Sequence, residues 1–235
     1  MLSISNLQVF YGESQILHNV NIQVPTGQAI CIMGRNGAGK TTLIKTVIGI
    51  LKAREGTIIY NDDNLTKQSP HKRARAGIGY VPQGRGIFPH LTVYENLLIG
   101  FEALKRPGKE YMEESIEEIY ELFPVLKEMR KRIAGTLSGG QQQQLAIGRT
   151  LVRRPELVLL DEPTEGIQPS IVQEIEEVIV KMRTEKGISV LLVEQFLDFA
   201  LGIADYCYVM EKGRIVSEGN VEDLSQDVIQ EHLSV

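Results

Sequence analysis

Short, wholly apolar runs recur along the chain, with stretches of helical spacing between them. Ala29-Ile30-Cys31-Ile32-Met33 carries no polar position at all. Ile78–Val81 and Leu157–Leu160 follow the same pattern, as does Ser189–Val193 after its first residue. Runs of this length without alternation predict strands buried on both faces, as in a parallel sheet. Helical spacing occupies Lys40 to Ile50, Gly140 to Val152 and Ile171 to Arg183. Strand alternating with helix predicts an α/β fold with a parallel sheet covered on both sides. Two regions depart from this rhythm. Asn21–Val24 and Thr57–Tyr60 alternate with period two and predict an antiparallel β flank at the N-terminal end. Thr92 to Gly135 is rich in Glu, Lys and Leu, and Glu110–Leu122 has helical spacing, so an inserted helical subdomain is expected there. Near the C-terminus, Tyr206–Met210 and Arg214–Ser217 read as a hairpin turning at Lys212-Gly213. No repeat, low-complexity tract or long linker interrupts the chain. A single domain over 1–235 is expected, its core at roughly 1–91 and 150–235 and its helical part at roughly 92–149.

Composition adds exclusions. A chain of 235 residues can bury a substantial core. Its 30 carboxylates outnumber its 25 Lys and Arg, which argues against nucleic acid as a partner. Cys31 and Cys207 each lie in an apolar run and read as buried reduced thiols. The first residues lack a basic segment followed by an apolar one, so no signal peptide is expected. No apolar run approaches the ~18 residues that cross a bilayer. Any membrane role is therefore expected to come through a partner.

The candidate chemistry begins after the first buried strand. Gly34-Arg35-Asn36-Gly37-Ala38-Gly39-Lys40-Thr41 fits the phosphate-loop pattern G-x-x-x-x-G-K-[ST]. Glycines let backbone N–H groups turn inward around phosphate oxygens at a helix N-terminus. Lys40 would add charge near the β- and γ-phosphates, Thr41 a hydroxyl for Mg²⁺, and Thr42 a reach toward the α-phosphate. An ordinary glycine-rich turn would carry similar residues, but the flanking strand and helix favour the phosphate reading. Leu157–Leu160 ends in Asp161-Glu162, at the strand edge where open α/β sheets bind ligands. Asp161 would hold Mg²⁺ through its water shell, and Glu162 would polarise the water that attacks the γ-phosphate. Ser138-Gly139-Gly140 offers a second anion site, an N-cap serine with bare backbone N–H groups opening a helix.

Leu137-Ser138-Gly139-Gly140-Gln141 resembles the signature of ATP-binding-cassette (ABC) ATPases, and the resemblance extends over the whole chain. Tyr11 matches the aromatic that stacks on adenine, and Gln83 the glutamine that senses Mg²⁺ and the attacking water. Asp161 and Glu162 match the second Walker motif. The resemblance implies a P-loop NTPase core with a RecA-like parallel sheet, and ATP with Mg²⁺ at the site. It also implies a head-to-tail pair with a second, homologous or identical ATPase subunit, in which Ser138 to Gln141 covers the nucleotide held by the neighbour. Two integral membrane permease subunits and, indirectly, an extracytoplasmic solute-binding protein are implied as further partners. A peripheral position on the cytoplasmic face of the membrane goes with them.

Two departures stand out. Gln195 occupies the place of the family's usual histidine, where an amide still donates a hydrogen bond but carries no charge. Glu165-Gly166-Ile167-Gln168-Pro169 replaces the usual aspartate-bearing loop. Both features are similar to importers of branched-chain amino acids and related amides. Tyr80–Pro89, Glu165–Ser170 and Phe196–Ala200 most resemble the urea-importer ATP-binding subunits, so urea is the expected solute, with a branched-chain amino acid or short amide as the alternative. A phosphate-loop kinase would not need Leu137–Gln141, and the Asn-Lys-x-Asp motif of many GTPases is absent.

Overall fold

The computed structural model describes residues 1–222. Its strands are β1 (Leu2–Tyr11), β2 (Ser14–Val24), β3 (Ala29–Met33), β4 (Glu55–Tyr60), β5 (Asp63–Asn64), β6 (Ile78–Val81), β7 (Leu157–Asp161), β8 (Ser189–Glu194), β9 (Tyr206–Glu211) and β10 (Arg214–Asn220). Its α-helices are α1 (Lys40–Val47), α2 (Pro70–Arg75), α3 (Val93–Ile99), α4 (Lys109–Leu122), α5 (Pro124–Glu128), α6 (Gly139–Leu151), α7 (Pro169–Lys186) and α8 (Leu197–Ile203). Two sheets result. A six-stranded sheet runs β10-β9-β3-β8-β7-β6, parallel except for the β9–β10 hairpin, and an antiparallel sheet runs β2-β1-β4-β5.

The uninterrupted apolar strands have a direct cause. Along β3, Ala29, Cys31 and Met33 join a core shared with the helices, while Ile30 and Ile32 enter a second core shared with the antiparallel sheet and α1. In β7, Val158 and Leu160 face the first core and Leu157 and Leu159 the second; in β8, Val190 and Leu192 oppose Leu191 and Val193 in the same way. Both faces exclude water, so alternation is lost. The arrangement carries the C-terminal ends of the parallel strands β3, β6, β7, β8 and β9 to one edge, where the motif residues emerge.

Helix α1 is shorter than its pattern predicts, ending at Val47 rather than Ile50. Gly49 takes φ +84°, and the N–H groups of Gly49 and Ile50 return to the carbonyls of Thr46 and Lys45. This is a Schellman stop, which needs a left-handed residue just past the helix. The hairpin turns where expected, with both Lys212 and Gly213 at positive φ, the requirement of a type I′ turn. Cys31 and Cys207 stand in register on adjacent strands as buried free thiols, and burial pushes the Cys31 thiol up. The acidic face of α4 does more than meet solvent. Glu118 is half-buried and pairs with Arg154 and Lys186, tying α4 to the β7 approach and to the end of α7.

Candidate functional site

Strand β3 ends at Met33 and the chain turns through residues 34–39 into α1. A Cβ on Gly34 would lie 2.4 Å from the Met210 carbonyl oxygen, so β9 leaves room for glycine alone. Gly39, the residue before α1, adopts φ +108°, closed to ordinary side chains. The turn brings Lys40 back over itself. Its ammonium donates to the carbonyls of Gly34 (2.7 Å) and Arg35 (3.2 Å) and pairs with Glu162 Oε1 at 3.1 Å. Only 4% of Lys40 is exposed, so this charge is held by the loop that would hold a phosphate.

Asp161 and Glu162 emerge side by side from β7 and diverge. The Thr41 hydroxyl donates to Asp161 Oδ1 at 3.1 Å, and the Tyr80 hydroxyl to Oδ2 at 3.4 Å. Burial pushes the Asp161 carboxyl up, the Thr41 hydrogen bond opposes that, and the neighbouring Glu162 charge adds to it. Burial beside Asp161 likewise raises the Tyr80 phenol. Glu162 takes φ +49°, unusual for a residue with a side chain, and its N–H donates to the Val193 carbonyl at 2.9 Å. That conformation turns its carboxylate toward Lys40 on one side and toward Gln83 Nε2, at 3.2 Å, on the other. Gln83 Nε2 also reaches Glu165 Oε2 at 3.1 Å.

The geometry therefore gathers Lys40, Thr41, Gln83, Asp161 and Glu162 at one edge of the sheet. Thr42 lies one residue further along α1, half-buried, and Gln195 follows β8 on the same edge, also half-buried. Tyr11 ends β1 with 48% of its surface exposed. The signature segment lies elsewhere: among the described residues no hydrogen bond joins Ser138–Gln141 to the loop at 34–39. Ser138 caps α6 by accepting from the Gln141 N–H, while the Gln141 side chain accepts from the Ser138 N–H. This capping box fixes the helix tip. It also engages the Gln141 side chain within its own helix, with Gly139 half-buried and Gly140 buried beside Ile171.

Four residues at this site escape motif reading: Tyr80, Thr164, Glu165 and Glu194. Glu194 left one clue, as an acid closing an otherwise apolar run. It is fully buried, and Thr164 Oγ1 hydrogen-bonds to its Oε1. Burial is the main cause raising its carboxyl to about 7; the Thr164 hydrogen bond opposes that, Glu162 adds to it, and the Phe196 N–H and Lys40 oppose it. A carboxyl raised on folding is protonated in the native state at pH values where the unfolded chain has already released its proton. Folding stability accordingly falls as pH rises from about 4.5 to about 7. Glu194→Gln removes that loss. It is expected to match the parent protein in thermal stability near pH 4.5 and to exceed it at pH 8, by on the order of 3 kcal/mol as an upper bound. Melting curves at the two pH values check this.

The residues present suit a magnesium nucleotide. The glycine-lined turn faces a buried lysine, and Thr41, Asp161 and Gln83 supply the hard oxygens that magnesium prefers. Comparison with known proteins agrees. The sequence pattern of the ABC transporter family matches residues 17–165. The high-affinity branched-chain amino acid transport ATP-binding protein BraG of Pseudomonas aeruginosa is 44% identical over 216 residues, covering 92% of this chain and 91% of that protein. The ADP conformation of MJ1267, an ATP-binding cassette of an ABC transporter, superposes with a TM-score of 0.85 at 34% identity, covering 100% of this chain and 94% of that one. A dimeric post-hydrolysis state of the cassette MJ0796, bound to ADP and Pi, gives a TM-score of 0.84 at 26% identity, with 95% and 100% covered. The order of the motifs, the two-sheet fold and the sequence agreement over nearly the full length lead to one assignment: this chain belongs to the ABC transporter family, as one of its ATP-binding ATPases.

Proposed function

We propose that this chain is the ATP-hydrolysing subunit of an importer for branched-chain amino acids or a related short amide. The observation that carries the catalytic part is the buried Lys40–Glu162 pair, with the exposed Gln83 amide on its outer side, at the edge of the parallel sheet. Lys40 would leave Glu162 for the incoming phosphates, whose charge exceeds that of one carboxylate. Freed of its cation, Glu162 becomes the base that orients and polarises water, with the Gln83 amide fixing its outer oxygen. Tyr11 would stack on the adenine, and Arg35, Asn36, Gly37 and Ala38 would supply backbone around the phosphates. Thr41, Asp161 and Gln83 would hold Mg²⁺, which supplies charge neutralisation for the transferring phosphoryl group. Gln195 would donate a neutral hydrogen bond toward the γ-phosphate. The capped tip of α6, from Ser138 to Gln141, would complete the site of a second ATPase subunit, in a pair like the dimeric MJ0796.

A groove supports the membrane partner. It measures about 390 Å³ and is lined by Ile50, Phe88, Ile99, Arg149 and their neighbours. Ile50 and Phe88 are exposed apolar side chains, and Arg149 stacks over the Phe88 ring with its buried Nη1 unpartnered among the described residues. Such a surface suits an apolar helix bearing an acidic or carbonyl group, and it lies five residues along the chain from Gln83. Among the described residues no helix is long and apolar enough to cross a membrane, so two permease subunits would hold this chain at the cytoplasmic face. An extracytoplasmic binding protein would deliver the solute to those permeases.

The relationship to BraG favours the amino-acid reading over the urea expectation. Reconstitution with the permease subunits tests it. Binding protein loaded with leucine, isoleucine or valine should stimulate ATP hydrolysis; stimulation by a urea-loaded binding protein alone would overturn the amino-acid reading.

A further inference from the structure

Glu162 keeps its left-handed backbone only if the turn around it is held, because a residue with a Cβ does not favour that region on its own. One side of the turn is fixed by the backbone. Val193 pairs with Asp161 across β7 and β8, and its carbonyl accepts the Glu162 N–H. The other side is fixed by the next residue of β8. Glu194 Oε1 bonds to the hydroxyl of Thr164, two residues beyond Glu162. Both side chains are buried, and Glu194 also stands opposite Met33, one residue before the phosphate loop. Among the described residues its buried Oε2 has no hydrogen-bond partner. A polar atom left in that state costs stability, which a purely structural position would avoid with an apolar side chain.

We propose that Glu194 is a positioning residue for ATP hydrolysis: by clamping Thr164 it holds the Asp161–Thr164 turn so that the Glu162 carboxylate points between Lys40 and Gln83. The clamp needs a side chain long enough to cross from β8 to the turn and an oxygen that pairs with a hydroxyl. It does not need a charge. The inference rests on Glu162 acting as the base.

Four variants of the full chain, assembled with its permeases, test this through ATP saturation curves. Glu194→Ala should lower kcat by about 10–100-fold, the effect of misplacing a catalytic group by a fraction of an ångström, while KM for ATP moves little. Glu194→Gln should keep most of kcat, since its amide oxygen still accepts from Thr164. Thr164→Val removes only the hydroxyl, leaves the fold least disturbed, and should repeat the Glu194→Ala loss. The double variant Glu194→Ala/Thr164→Val should be no worse than the poorer single variant, because both break one clamp. Full kcat in either Glu194→Ala or Thr164→Val overturns the proposal, as does a Gln variant as slow as the Ala one. Glu162→Gln run alongside separates the two ideas. If it still turns over, the assignment of the base has failed; if it is inactive while Thr164→Val is fully active, only the clamp has failed.

Discussion

Glu162→Gln is expected to lower ATP turnover by about two to four orders of magnitude, the usual contribution of a positioned base. ATP binding should survive and tighten. The substitution is nearly isosteric, so Gln83 and the Val193 carbonyl keep their places around it. It removes the carboxylate that pairs with Lys40 at 3.1 Å and that would repel incoming phosphate. Two costs of nucleotide entry disappear together: separation of a buried ion pair, and like-charge contact with the γ-phosphate. Single-turnover kinetics with an equilibrium titration of ATP measure both quantities. Unchanged turnover would remove Glu162 from the role of base, and weakened binding would contradict the pairing argument.

Lys40→Ala should act on binding first. The ammonium's hydrogen bonds to the Gly34 and Arg35 carbonyls place it inside the turn. Charged hydrogen bonds contribute about 1.5–3 kcal/mol each, so ATP affinity should fall by roughly 10–100-fold. The same change strands the Glu162 carboxylate, which is 7% exposed, without its counter-charge. Leaving one partner of a buried pair costs about 3–5 kcal/mol, so the melting temperature should drop as well. Restoring a cation with Lys40→Arg should recover part of the stability while the bulkier guanidinium still crowds the glycine turn. An ATP titration beside a thermal melt separates the two effects; an unaltered affinity would count against residues 34–39 as the phosphate site.

Much of the fold was legible because its strands are buried twice over. Ala29–Met33 and Leu157–Leu160 have no polar position to confuse their reading, Ser189–Val193 has only its first, and each proved a strand of the six-stranded sheet. The hairpin at Lys212-Gly213 was legible through its turn residues. Helix α1 was over-read by three residues because Ile48 and Ile50 continue an apolar pattern past the glycine that stops the helix. Spacing carries periodicity, not the sign of a φ angle.

The site was legible where one residue type has one use. Lys40, Thr41 and Asp161 sit in motifs whose spacing already states their chemistry. Tyr80, Glu165 and Glu194 were not legible, since each acts through a contact between segments distant in sequence. Tyr80 meets Asp161 across neighbouring strands, and Glu165 meets Gln83 over 82 positions. Glu194 matters through Thr164, 30 residues away. The ion pairs of α4 were not legible either, because Arg154 and Lys186, the partners of Glu118, come from other elements.

The most direct measurement is the structure of the assembled transporter in its Glu162→Gln form with magnesium and ATP. Each nucleotide should lie between two cassettes, its γ-phosphate touched by Lys40 of one subunit and by the Ser138–Gly140 backbone of the other. Nucleotide held by a single subunit, with the tip of α6 facing solvent in both, would contradict the account.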